Sequence, residues 1–442
     1  MLSTRMFVTP RRLSTFAWVL ALLTCGAFAS NPSVDPDAFD WTAIRKQLPE
    51  SISSSTLWPS TPASNEFGHA IAADGDTVLI GAPQHAMWYP QAGVVYVFTR
   101  NNGAWTRQMV LYANDGQQDD YFGCSVALTG NTAVVGACGD DVGGNVDQGS
   151  AYVFTRSGTT WSLDQKLTAS NGAEGDHFGQ AAAVDYTGGF YTAIVGAPYT
   201  DRPSSSLIRV GNAYVFKRSI FSSSWFQQSI LSWDAIGWIG SDDQFGYSVA
   251  IEGNQLLIGA PGITTFSAHP DSGIAARFVR SNTTAPFSYN SLESSGESGS
   301  RYGAAVAMQG NRYVIGAPTS TPYFYSGRGA VELCDDDYCR FIHKPATGNS
   351  DEFGSSVAID GDTVIVGAAQ SDDLANAGGW AGIYSWSSGA FLGSISYGPI
   401  GDIAHRGYAV AMQDGYAFVG IPGEDAVVVV GGYNDLHADG FE

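Results

Sequence analysis

The chain predicts an all-β, seven-bladed β-propeller of four-stranded antiparallel blades, and three observations carry that prediction. Six aromatic-Gly pairs and one Arg-Gly pair are each followed by a Gly-Ala-Pro-like triplet. They are Phe67-Gly68 with Gly81-Ala82-Pro83, Phe122-Gly123 with Gly136-Ala137-Cys138, Phe178-Gly179 with Gly196-Ala197-Pro198, Phe245-Gly246 with Gly259-Ala260-Pro261, Tyr302-Gly303 with Gly316-Ala317-Pro318, Phe353-Gly354 with Gly367-Ala368-Ala369, and Arg406-Gly407 with Gly420-Ile421-Pro422. Successive copies begin 55, 56, 67, 57, 51 and 53 residues apart, so each is one supersecondary unit that must stack on its neighbours to bury an apolar face. Within a unit, short runs alternate polar and apolar residues between Gly-rich turns, a strand pattern and not that of a helical solenoid.

Residues 1–29 read as an export signal. Arg5, Arg11 and Arg12 precede an apolar run from Phe16 to Leu23, and Ala27-Phe28-Ala29 is a small-x-small cleavage site. The run is shorter than the roughly 20 residues a bilayer-spanning helix needs. Residues 30–40 read as a short linker, 41–433 as the propeller and 434–442 as a tail, with no transmembrane segment once the signal is removed.

The second unit illustrates the blade. Ser125 to Leu128 is a first strand, Gly130-Asn131 a tight hairpin, Ala133 to Gly136 a second strand, Ala151 to Arg156 a third and Trp161 to Leu167 a fourth. The Gly of each triplet permits close backbone approach near the axis, and the Pro ends the strand because it cannot donate to a ladder. The last unit supplies three strands, Ala409–Met412, Ala417–Ile421 and Ala426–Val430. The segment Trp41–Leu48 resembles Trp161–Leu167 and is expected to add the missing outer strand, closing the ring without an open edge.

The repeated pairs and triplets resemble the FG-GAP repeat, the blade unit of integrin α-chain propellers and of many exported bacterial proteins. The resemblance covers residues 41–433 and implies the propeller. It does not fix a function, because the fold hosts adhesion, lectin-like and enzyme-associated roles. Integrin-type blades often carry a Ca²⁺ loop between their first two strands. Here those places hold short turns such as Asp74-Gly75-Asp76, Gly130-Asn131 and Gly361-Asp362, too small to wrap an ion that takes six to eight oxygens. No cofactor is therefore expected, and calcium is not carried over. The last five residues, Ala438 to Glu442, resemble a short tail on exported proteins of some Gram-negative bacteria.

The balance of 42 Asp+Glu against 21 Lys+Arg, net −21, argues against a nucleic-acid partner, which requires a basic footprint. Beyond the signal the cysteines are Cys124, Cys138, Cys334 and Cys339. An even count in an exported chain reads as disulfides. Three connectivities exist, and the spacings favour the local pairs 124–138 and 334–339.

Loops after the triplets and loops entering the aromatic-Gly pairs should share one face. They carry Asp119, Asp120, Asp140, Asp141, Asp242, Asp243, Asp372 and Asp373, with Trp88, Trp238 and Trp380 as stacking platforms. These are the candidate ligand-binding residues, and a protein or glycan is the expected partner. No HExxH, G-x-S-x-G, Walker A or dinucleotide pattern occurs, so a non-catalytic binding module is the first reading. A carbohydrate-active enzyme using carboxylates on the same face, or a structural envelope protein, are the alternatives. Oligomeric state is not legible.

Overall fold

The computed structural model describes residues 54–59, 65–202, 206–232, 240–264, 270–295, 297–321, 328–345, 350–371, 378–395 and 404–431. The expected signal, linker, Trp41–Leu48 strand and tail lie outside them. Among the described residues, 28 strands form seven four-stranded antiparallel sheets. Blade two is typical, with strands Phe122–Thr129, Thr132–Ala137, Ser150–Ser157 and Thr160–Leu167 paired in chain order. The second strands are buried along their length or nearly so, as Thr77–Ala82, Thr132–Ala137 and Thr363–Ala368 show.

Blade seven combines both ends of the described chain. Its strands Val410–Gln413, Tyr416–Ile421 and Ala426–Gly431 are completed by Ser54–Leu57, with Leu57 opposite Val427 and Ser54 opposite Val430. An N-terminal strand closes the ring as expected, but the strand is Ser54–Leu57 and not Trp41–Leu48. Loop length explains the correction. Leu57 precedes Phe67 by 10 residues, as Leu111 precedes Phe122 and Leu167 precedes Phe178 by 11, and all three leucines are buried at the ends of outer strands.

The aromatic-Gly pair does more than start a strand. It forms the centre of a β-turn in which the following residue donates to the carbonyl of the preceding one, as Cys124 N–H does to Tyr121 at 2.9 Å and Gln180 N–H to His177 at 3.1 Å. Gly123 and Gly179 have φ of 93° and 100°, the left-handed value that type II turns require at their third position. The aromatic ring is buried between blades, Phe122 edge-on to Tyr152 (5.4 Å) and Phe178 edge-on to Tyr214 (5.3 Å). Each core cluster accordingly joins neighbouring blades; one unites Val134 and Val153 with Phe178, Val195 and Tyr214. Arg406 takes the aromatic place in blade seven and is equally buried.

Pair and triplet are tied across the blade interface. A Cβ on Gly81 would strike the carbonyl oxygen of Gly123, and one on Gly136 that of Gly179; the series continues round to Gly420 against Gly68. Each triplet glycine thus abuts the turn glycine of the next blade, and backbone contact leaves no room for any side chain. Cys124–Cys138 and Cys334–Cys339 are both disulfides, within blades two and five, as the spacings favour.

Candidate functional site

The two loop sets do share a face, because hydrogen bonds stitch them together. Asp119, Tyr121 and Phe122 donate backbone N–H groups to Pro90, Gln91 and Ala92 at 3.1, 3.0 and 3.0 Å. His177 and Phe178 repeat the stitch onto Asp147 and Gln148 at 3.1 and 2.8 Å. Each loop after a triplet is therefore held against the loop entering the next blade.

Much of the acid on this face turns inward. Asp120 and Asp243, with the equivalent Asp176, are nearly fully buried. Each accepts the backbone N–H three residues upstream, from Gln117 (2.6 Å), Gly240 (2.7 Å) and Ala173 (2.8 Å) respectively. Burial pushes all three carboxyls up to about 6. Asp140 is buried too, accepting from Ser150 and Tyr152 and pairing with Lys166 at 2.7 Å. Lys166 also holds Asp115 at 2.7 Å. Asp120 and Asp140 are thus neighbours, the charges of Asp140 and Asp141 adding to the upward push on Asp120.

The other candidates are dispersed. Asp119 accepts from the Gln118 amide (3.1 Å), exposed Asp141 caps the N–H of Asp147 (3.0 Å), and Asp242 pairs with Arg209 at 2.5 Å. Trp380 is only 8% exposed and stacks on Phe391 at 5.9 Å, so it belongs to the blade core. Trp88 is 71% exposed. Asp372, Asp373 and Trp238 lie outside the described residues.

A second group, which the reading of the loops missed, stands where the chain enters the first strands, which contact one another from blade to blade. The residue before each aromatic-Gly pair is left-handed in every blade: Glu66, Tyr121, His177, Gln244, Arg301, Glu352 and His405 have φ of 55°, 54°, 51°, 58°, 52°, 56° and 54°. Holding a non-glycine residue there costs roughly 1–2 kcal/mol, yet no blade uses glycine. Their neighbours meet across blades. The His69 ring of blade one packs on Tyr408 of blade seven (4.8 Å), and the Arg301 guanidinium of blade five lies over Tyr247 of blade four (5.7 Å).

The Tyr408 hydroxyl is pushed up to about 12, first by burial and then by Glu66, Tyr247 and Glu352. Blades four and seven are as far apart as a seven-membered ring allows, so the influence of Tyr247 crosses the axis. Tyr408 nevertheless keeps 42% of its surface exposed. Burial likewise raises Glu352, against the opposing charges of Arg301 and His405. Reading one column of the repeat, Glu, Tyr, His, Gln, Arg, Glu, His, would have exposed this set as a run of polar, hydrogen-bonding side chains.

Off the axis, an open cleft of about 530 Å³ is lined by Trp88, Tyr89, Tyr112 and the segment Ala113–Gln117. Its walls are the loop after the first triplet and the loop entering blade two. Elsewhere, Glu332, Cys334 and Cys339 place potential metal-ligand atoms within 4.8 Å of one another. Both sulfurs are committed to the Cys334–Cys339 disulfide and Glu332 accepts from Tyr302, so the group does not offer the free thiolates that a soft metal site uses.

Five segments of the chain, residues 60–98, 105–154, 161–216, 239–275 and 346–382, match the FG-GAP repeat. Segments 105–154 and 161–216 run from the outer strand of one blade to the third strand of the next. The sequence repeat is therefore offset by one strand from the blade. No curated protein matches the chain.

Proposed function

Because the chain is an FG-GAP repeat β-propeller, we propose that it is an exported binding module whose loop face receives a glycan or a protein. The observation that carries this reading is a polar cluster drawn from several blades: the His69 ring packs on Tyr408, the Arg301 guanidinium lies over Tyr247, and Glu66, Tyr247 and Glu352 all bear on Tyr408. Rigid strands hold these groups in place, and one polar side chain per blade sits in a strained backbone position, as binding sites on fixed scaffolds often do. The carboxyls pushed up to about 6 support binding over catalysis. Asp120, Asp176 and Asp243 stand at the entries to three different blades and each caps its own loop; the carboxylates beside Asp120 are held by Lys166 and by blade hydroxyls. Two disulfides fit an oxidising compartment, and no helix among the described residues is long and apolar enough to cross a membrane.

The test is a binding panel of glycans and purified extracellular proteins, read by calorimetry. Tyr408→Ala and Glu352→Gln should weaken the ligand found, while Thr159→Arg, on an exposed hairpin of the opposite face, should not. Equal loss from both faces, or a ligand that no variant of the loop face weakens, the Trp88 cleft included, would remove the assignment to the loop face.

A further inference from the structure

We propose that the cleft between Trp88-Tyr89 and Tyr112–Gln117 is a carbohydrate-binding subsite for neutral or amino sugars. The proposal rests on the reading of the loop face as a binding surface and names its ligand class. Trp88, Tyr89 and Tyr112 are all exposed and all line this one cleft, whereas the rings of Phe122, Phe178 and Trp380 are buried in blades. An exposed aromatic face suits the C–H face of a pyranose, and an amphipathic ring leaves the sugar hydroxyls free to find partners.

Those partners are present. Asn114 and Gln117 line the same cleft with side chains that make no hydrogen bond among the described residues. Asp115 is fixed on the wall by Lys166 Nζ and by the Tyr152 hydroxyl, both at 2.7 Å. Burial pulls its carboxyl up, but these two donors outweigh it and hold it below its ordinary range. The group is ionised and oriented, with lone pairs left for sugar hydroxyls or an amine. That carboxylate, in a chain of net charge −21, selects against uronic and sialic acids.

The walls are also set before any ligand arrives. Ala92 and Gly93 donate to Tyr89 (3.3 Å) and His85 (3.0 Å), Asp119 donates to Pro90 (3.1 Å), and Gln117 N–H is held by Asp120. The volume falls within the roughly 300–1,000 Å³ of small-ligand sites. A stable protein contact needs on the order of 800 Å² from each partner, more than one cleft between two loops presents.

The experiment uses the full chain, titrated with neutral, amino and acidic oligosaccharides by calorimetry and tryptophan fluorescence. Neutral or amino sugars should bind and shift the Trp88 emission. Trp88→Ala should weaken them about tenfold at unchanged Tm, with Trp88→Phe retaining part of the affinity. Sugar binding that survives the Trp88→Ala, Tyr112→Ala double variant, or a preference for acidic sugars, overturns the proposal. So does a panel in which no sugar binds. If a purified protein ligand then binds and Tyr408→Ala removes it, the loop-face reading stands and only the carbohydrate assignment falls. If nothing binds and no variant of this face matters, both fall.

Discussion

Asp425 Oδ1 accepts the backbone N–H of Phe67 at 3.1 Å, joining blade seven to blade one across 358 residues of chain, and takes the N–H of Asn65 at the same distance. At other junctions a main-chain carbonyl performs this task, Ala92 for Phe122 and Gln148 for Phe178. In blade seven the loop after the triplet shrinks to the 3₁₀ turn Pro422–Glu424, and Asp425 stands left-handed (φ 50°) where Gly93 and Gly149 stand elsewhere. A side chain thus replaces the missing loop.

Asp425→Ala should therefore loosen the ring at its closure. Two backbone donors lose their acceptor, one of them on the fully buried Phe67, and the cost should be about 1–3 kcal/mol. Asp425→Asn keeps a carbonyl acceptor and tolerates the left-handed backbone, so it should cost a fraction of that. Denaturant unfolding of the three proteins measures the order; an Ala variant as stable as the parent would refute the closure role.

The glycine contacts between blades make a sharper demand. Gly136→Ala places a methyl on the carbonyl of Gly179 and beside the Ser125 hydroxyl. Backbone cannot yield as a flexible side chain can, so the variant should lose several kcal/mol (~3 or more) or fail to fold. Gly103→Ala, in an open hairpin with nothing near its Cβ and φ of 81°, should cost only the conformational penalty of roughly 1–2 kcal/mol. Similar losses at both positions, in thermal melts, would mean that close approach is not what the triplet glycine provides.

The carboxyls of Asp120, Asp176 and Asp243 set a pH dependence. Burial raises each to about 6 in the folded chain, against about 3.9 unfolded. A raised folded value means that the contribution is fully present below pH 4 and is lost as pH rises through 6, on the order of 3 kcal/mol per group at most. Asp176→Asn retains a carbonyl for the Ala173 N–H and removes the titration. The variant should match the parent near pH 4 and exceed it in stability at pH 7.5. A constant offset between the two across that range would dissociate the burial of Asp176 from the pH response.

The fold was legible because its rule repeats seven times and each copy needs the same glycines. Phe122-Gly123 and Gly136 can be read as a unit without coordinates, since a turn and a backbone contact each exclude every other residue. Ring closure was legible in kind but not in place. Trp41–Leu48 drew attention through its tryptophan, whereas the constraint is the 10- or 11-residue span from an outer-strand leucine to the next aromatic. The site was less legible. Asp120 and Asp140 look like surface acid in sequence, and only their burial and donors reveal them as loop caps. Trp380, chosen for its ring, packs on Phe391 inside blade six. His69 and Tyr408 come together because the ring closes, and no local pattern announces a contact between residues 339 positions apart.

Closure also predicts where truncation becomes dangerous. Ala426–Gly431 reads Ala-Val-Val-Val-Val-Gly and is covered on its outer edge by Ser54–Leu57 alone among the described strands. It is apolar, uncharged and rich in β-branched residues, the composition that pairs with other chains when an edge is open. A chain beginning at Ser51 keeps the covering strand and should stay monodisperse at the parent's ring stability. One beginning at Pro59 loses the buried Leu57 and uncovers the valine edge, so it should melt lower and aggregate with rising concentration. Adding a charge to that edge in the shorter chain, as Val430→Lys, should restore solubility without restoring Tm, because it blocks edge pairing but returns none of the lost packing. If the chain starting at Pro59 remains soluble and melts with the parent, Ser54–Leu57 is not what seals the ring.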